Sequence, residues 1–387
     1  MIIMALDHVR DYFNYEAFQF DPTDMTKTNA AFFFTRWVTH YCAPIFVFLS
    51  GVSARLYGAK TSKKDLSFFL FTRGIWLVLL ELFVITLEWT FNPAYPVHSL
   101  QVIWAIGISM IALSAIVLMD KRLILLTGII LIAGHNLLDH VHVPGTGPLS
   151  FFWSFLHEPG NYTFGHTIYS IRYPVLPWIG VITIGYYLGG LYVPGYDPEM
   201  RKVTLLSLGF GAISLFLVLR SLNIYGDSSH WAVQDTAVMT VCSFLNVTKY
   251  PPSLLYILMT LGPAMIFLVF AERWQPCINH PIPFKPLKRL RENITIFGRV
   301  PMFYYIAHIF LIHMLAIGGV LLQGYKASGM ILTGRVNQNS VLKGYGFDLA
   351  TTYLIWAVVV LTLYPFCRYY DRYKRANVRR QWWLSYL

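Results

Sequence analysis

Asp7 and Asp11 stand four residues apart, with His8 beside the face they share and Arg10 between them. Arg36 and His40 repeat the spacing. Residues four apart lie on one face of a helix, so each set is a cluster of ionisable groups. Together the types suffice for acid–base work. A histidine takes or gives a proton near neutral pH, a carboxylate orients it, and a guanidinium holds an anionic group. The same residues also suit plainer roles. Asp7 or Asp11 with Arg36 makes a buried ion pair locking two helices. His8 can bond a carbonyl at a helix end, and His40 can bridge neighbouring helices. A third group follows in Gly298–His313, where Tyr304 and His308 share a face. His308 and His313 are five apart, so in a straight helix one lines a cavity and the other packs. Pro301 is expected to bend or end the preceding turn.

The segments that carry these groups are apolar. Of 387 residues 56% are hydrophobic and only 13% charged, against roughly 25% charged in a soluble domain. The composition excludes an ordinary soluble domain and predicts an all-α, polytopic membrane protein. An ionisable group at the centre of a membrane helix costs about 2.5–3.5 kcal/mol on insertion scales, and so marks a functional site by default. Glu81 and Glu88 are further acids of this kind: Glu81 must find a partner, whereas Glu88 lies near the outer interface.

A bilayer core needs about 20 apolar residues per helix. Ten spans are expected, over 1–14, 31–54, 67–90, 98–118, 123–137, 174–192, 203–221, 251–271, 297–321 and 348–367. Most basic residues outside the spans fall in alternate connections, among them Lys63 and Lys64, Lys121 and Arg122, Arg201 and Lys202, Lys288 and Arg289, and in the C-terminal tail. The positive-inside rule then places both termini in the cytoplasm. The net charge of +11 is thereby read as membrane orientation and lipid contact, not nucleic-acid binding. The chain reads as a single transmembrane domain, 1–387, with longer outer loops at 138–173, 222–250 and 322–347. The first two mix histidines, aspartates and aromatics, which suits either a sugar-like acceptor or a folded cap. Lys249-Tyr250-Pro251-Pro252-Ser253 leads into the eighth span, Lys249 being an interfacial anchor or a ligand for an anion.

Cys42, Cys242, Cys277 and Cys367 match no metal or redox spacing. No HExxH, GxSxG or P-loop pattern occurs, and no metal is expected. The chain opens on Met1-Ile2-Ile3-Met4 without a basic leader, so no cleavable signal peptide is expected. The first apolar run is short before Asp7: either the helix continues to about Phe13 or the natural start lies upstream.

The stretch Met4–Phe13, with its Asp7-His8-Val9-Arg10-Asp11, and the stretch Ala43–Val52, ending in Ser50-Gly51-Val52, resemble the bacterial relatives of heparan-α-glucosaminide N-acetyltransferase. Asn246–Leu254 and Gly298–His313 are similar to later blocks of that group. His8 with Phe13 also matches the His-x4-Phe pattern of the wider membrane acyltransferase superfamily. The resemblance implies transfer of an acetyl or other acyl group from cytoplasmic acetyl-CoA to an amine or hydroxyl of an extracytoplasmic glycan or amino sugar. It implies a histidine as base or transient acyl carrier. Segment 11–30 holds no histidine, so His8 or His40 must serve, with Asp7 orienting the base. Arg36, Tyr304 and His308 are the expected contacts of the acyl-CoA. A bacterial inner membrane is the expected location, with membrane lipids as partners and a homodimer left open. The other reading is a proton-coupled transporter, which intramembrane histidines and acids also suit.

Overall fold

A computed structural model describes residues 1–273, 285–378, 380–381 and 384; Cys277 lies outside them. The chain is mostly helical, at 70%. In order the helices are α1 Ile2–Phe13, α2 Ala30–Trp37, α3 Cys42–Gly58, α4 Lys63–Leu80, α5 Thr86–Thr90, α6 Val102–Ile116, α7 Lys121–Ala133, α8 Pro148–Leu156, α9 Leu176–Leu188, α10 Pro198–Leu222, α11 Ala237–Leu245, α12 Leu254–Arg273, α13 Lys285–Arg299, α14 Pro301–Leu322 and α15 Leu349–Asn377. A helix overlaps each of the ten expected ranges. Among the described residues, six helical stretches are long and apolar enough to cross a membrane: Ala30–Gly58, Lys63–Thr90, Pro198–Leu222, Leu254–Glu272, Pro301–Leu322 and Leu349–Asn377. Large apolar side chains such as Phe68, Phe210, Phe267 and Leu361 stand exposed on them, as lipid-facing surfaces do. This is a membrane protein.

The all-α expectation meets one departure. Strands β1 Val97–Leu100, β2 Gly160–Phe164 and β3 Thr167–Ile171 form a small sheet in the order β1-β3-β2. β1 pairs parallel with β3, and β2 antiparallel with it, Tyr162 opposite Tyr169. The expected span 98–118 therefore begins as a strand. The expected loop 138–173 contains α8 and a hairpin turning at Gly165, whose φ of +61° suits a residue without a Cβ. The expected span 297–321 is broken: Val300 leaves helical geometry at φ −125°, ψ 52°, and α14 starts afresh with Pro301 in its first turn. There the missing N–H costs nothing.

The chain divides into two compact units. One comprises Met1–Thr39, Ile85–Pro96 and Trp274–Leu387; the other comprises His40–Val84 and Val97–Arg273. In the first, α1 packs against α14 and α15, burying Val9, Tyr12, Phe13, Ile312, Ala316 and Val359. The Asn29 side chain caps α2 and the Asp348 side chain caps α15. Arg299 grips Asp371 through Nε at 2.9 Å and a terminal nitrogen at 2.8 Å, which ties α13 to α15. Phe347 N donates to Phe13 O at 2.6 Å, joining the end of α1 to the lead-in of α15.

In the second unit α4 packs on α6, α3 on α9 and α10 on α12. The Glu81 carboxylate finds its partners at the head of α6, accepting from Gln101 N at 3.3 Å and Trp104 N at 3.1 Å. Unpaired N–H groups at a helix start favour negative charge there. Gly51 and Gly185 let α3 and α9 meet backbone to backbone. A Cβ on Gly51 would stand 2.1 Å from Ile182 O, and one on Gly185 2.1 Å from Phe48 O. Small residues allow this approach in membrane helix pairs. Gly51→Ala or Gly185→Ala should each cost about 1–3 kcal/mol or more, read as a lower Tm in detergent. An unchanged Tm would contradict so close a contact.

Candidate functional site

The site is built within the first unit, on α1 and α14. In α14, His308 Nδ1 lies 2.7 Å from the carbonyl of Tyr304 one turn earlier. A carbonyl has no proton to give, so His308 carries its proton on Nδ1 and donates it. A neutral imidazole then has its lone pair on Nε2. That nitrogen lies 2.8 Å from Nδ1 of His8, so His8 Nδ1–H donates and His308 Nε2 accepts. The lone pair of neutral His8 falls on Nε2. One backbone carbonyl thus sets the tautomers of two histidines in series.

Aromatic rings fix the plane of the pair. The two imidazoles stack with centroids 4.9 Å apart. Trp89 meets His8 edge-on at 4.9 Å and Tyr305 meets His308 edge-on at 5.6 Å. Tyr304 lies flat on His308 at 5.0 Å. His308 is fully buried and His8 partly buried.

A second set of contacts braces this wall. Tyr12 lies one turn after His8 and donates to Trp89 O at 2.6 Å. His313 has Nδ1 2.9 Å from Glu88 O and Nε2 2.8 Å from Met330 O, which ties α14 to α5 and to the 327–330 turn. Of the two histidines in α14, His308 belongs to the site and His313 packs. The Glu88 side chain is buried, and its Oε2 has no hydrogen-bond partner among the described residues.

The charged groups of α1 and α2 form a separate knot. Asp7 pairs with Arg10 at 2.7 Å and with Arg36, and accepts from Thr39 Oγ1 at 3.0 Å. Arg10, only 2% exposed, also bonds Asp11 at 2.6 Å. The structure therefore gives Asp7 to the guanidinium groups and gives His8 Nδ1 to His308, where the sequence reading had Asp7 orient His8. Arg36 makes the ion pair with Asp7 that one of its two foreseen roles requires. Tyr304 serves through its carbonyl as well as its ring. His40 falls in the second unit: its carbonyl accepts from Tyr256 Oη at 2.7 Å, and its ring meets that of Tyr256 at 5.6 Å.

Trp89, Tyr305 and Thr39 were not singled out from sequence. Tyr12 stands four residues after His8, a spacing that could have found it; Trp89 reaches the site from a distant segment and left no local signal.

A family model described as heparan-alpha-glucosaminide N-acetyltransferase, catalytic, matches residues 1–227, more than half of the 387-residue chain. The match spans Asp7, His8, Arg36 and His40; Tyr304 and His308 lie beyond it. No curated protein and no solved structure matches the chain.

Proposed function

Because the chain belongs to the heparan-alpha-glucosaminide N-acetyltransferase catalytic family, we propose that this transmembrane acyltransferase takes acetyl-CoA as donor and a sugar amine or hydroxyl across the membrane as acceptor. The observation that carries the reading to a residue is the Tyr304–His308–His8 relay. It leaves Nε2 of His8 as the proton-accepting atom.

His8 Nε2 removes the proton from the acceptor N or O as that atom attacks the thioester carbonyl. The tetrahedral intermediate collapses, the C–S bond breaks, and the departing CoA thiolate takes the proton back from His8. While His8 is an imidazolium, its Nδ1–H donates to His308 with a charge-assisted bond, which is stronger than the neutral one. His308 thus favours the form of His8 that exists only during the reaction, as differential binding requires. Trp89 and Tyr305 hold the rings in place, so less reorganisation is needed.

The membrane arrangement in this proposal has ten spans and both termini in the cytoplasm of a bacterial inner membrane. Helices that overlap all ten expected ranges and the alternating basic connections support it. No metal takes part in the proposed reaction, and the acyl-CoA, the glycan or amino sugar and membrane lipids are its partners. The protein in vesicles should release free CoA from acetyl-CoA only when an amino sugar such as glucosamine is present, with an equal amount of acetylated sugar. Proton uptake without CoA release would point instead to the proton-coupled transporter; the family match weighs against it.

A further inference from the structure

The second unit holds two cations on one aromatic ring. Lys249 Nζ lies 5.2 Å from the ring centre of Tyr250, and the Arg172 guanidinium carbon lies 5.6 Å from the same centre. Tyr173 packs edge-on against that ring at 5.1 Å. Lys249 is only 9% exposed. Among the described residues, no carboxylate lies within salt-bridge distance of either cation.

The surrounding fold places Lys249 there without supplying a counter-ion. Ser253 N donates to Thr248 O at 3.0 Å, and Lys249 bridges Pro252, so residues 248–253 form a tight turn. Asp227 holds that turn. It accepts from Ser229 N, Thr248 N and Thr248 Oγ1, each at 2.8 Å, and from Ser253 Oγ at 2.6 Å. A carboxylate offers about four acceptor positions, so Asp227 is fully engaged. Arg172 is fixed by its own backbone, which donates to Leu100 O at 3.2 Å just beyond β3. Lys249 is largely buried along its stem, and two like charges held at one ring without a counter-ion repel each other. A ring face offsets only part of this.

We propose that Arg172 and Lys249 form an oxyanion-binding subsite for a phosphate, sulfate or carboxylate carried by a substrate. Resting on the acyl-transfer reading, in which residues 138–173 and 222–250 are outer loops, the expected source of such a group is an acidic substituent on the acceptor sugar, and the phosphates of the CoA donor are the source the test must exclude. The guanidinium offers paired N–H donors to two oxygens, and the ammonium adds a point charge.

The direct test needs no turnover. The full chain in detergent is titrated with sodium pyrophosphate and with sodium sulfate at constant ionic strength, and Tm is followed. Saturable stabilisation beyond matched chloride is expected. Lys249→Gln and Arg172→Gln should each weaken it at least tenfold, while Lys249→Arg retains it and serves as the folded control if a glutamine variant fails to fold. Acetyl-CoA against acetyl-pantetheine, and glucosamine 6-sulfate against glucosamine, then identify the source. A variant effect confined to the first pair assigns the donor, and one confined to the second assigns the acceptor. No stabilisation of the wild type, or folded glutamine variants that bind as it does, would overturn the subsite. A protein that binds pyrophosphate through Lys249 yet transfers no acyl group would overturn the catalytic reading and leave the subsite standing.

Discussion

His8→Ala should lower acyl-CoA turnover by about 10²–10⁴-fold, the usual contribution of a positioned general base, with the protein still folded. His8 is only partly buried, so the substitution leaves a site water can enter more than a sealed core cavity. The loss should fall on kcat, because Nε2 acts on the acceptor proton and not on binding of the donor. His308 gives the more discriminating result. His308→Ala removes the acceptor that holds His8 Nδ1–H, so His8 can place its proton on either nitrogen and its ring can turn. Turnover should drop, by less than for His8→Ala, with KM for acetyl-CoA little changed. His308→Gln offers a side-chain oxygen to the same N–H and should restore part of the rate. A purely structural role for His308 would not distinguish alanine from glutamine in kcat once both are folded. Full turnover in a folded His8→Ala, with loss in His40→Ala, would transfer the base to His40.

The parts of this site readable from sequence are those encoded locally. The i, i+4 spacing put Asp7 with Asp11 on a shared face of α1, with His8 beside it, and Tyr304 with His308 on a shared face of α14. Pro301 announced the break before α14, because a residue without an N–H suits the first turn of a helix and not its middle. The Ser50-Gly51 motif has a physical reason in the contact of α3 with α9, where any Cβ on Gly51 would meet a backbone oxygen. What could not be read is pairing across the chain. His8 and His308 are 300 residues apart, and no periodicity couples them. Asp7 had two readings, orienting its neighbour His8 or pairing with Arg36 of the next helix, and spacing alone could not rank them; the Arg36 contact is the one present. The hairpin of β2 and β3 was missed for a different reason. Its aromatics and histidines suited either a sugar-like acceptor or a folded cap, and neither reading looked for strands, whereas the Phe164-Gly165-His166-Thr167 turn was the structural signal.

Asp7→Ala should be the most destabilising single change in α1, by about 3–5 kcal/mol, the usual result of removing one partner from a buried pair. Asp7 joins Arg10 of its own helix to Arg36 of α2 and takes the Thr39 hydroxyl as well. Without it Arg10, almost wholly buried, retains Asp11, while Arg36 loses its ion-pair carboxylate on α1. The effect is that of a broken buried ion pair rather than of a missing side chain, which gives two comparisons. Asp11→Ala should cost no more than about 0–1 kcal/mol, because its side chain is 38% exposed and exposed pairs contribute little. Asp7→Leu combined with Arg36→Leu should recover part of what Asp7→Ala loses, since an apolar pair leaves less charge unanswered at the α1–α2 contact. Thermal unfolding in detergent reads all three. The same series separates the ion pair from catalysis. If Asp7 oriented His8, folded Asp7→Asn would lose turnover at nearly wild-type Tm; as a helix-locking anion it should lose Tm first, and the surviving folded fraction should keep its kcat.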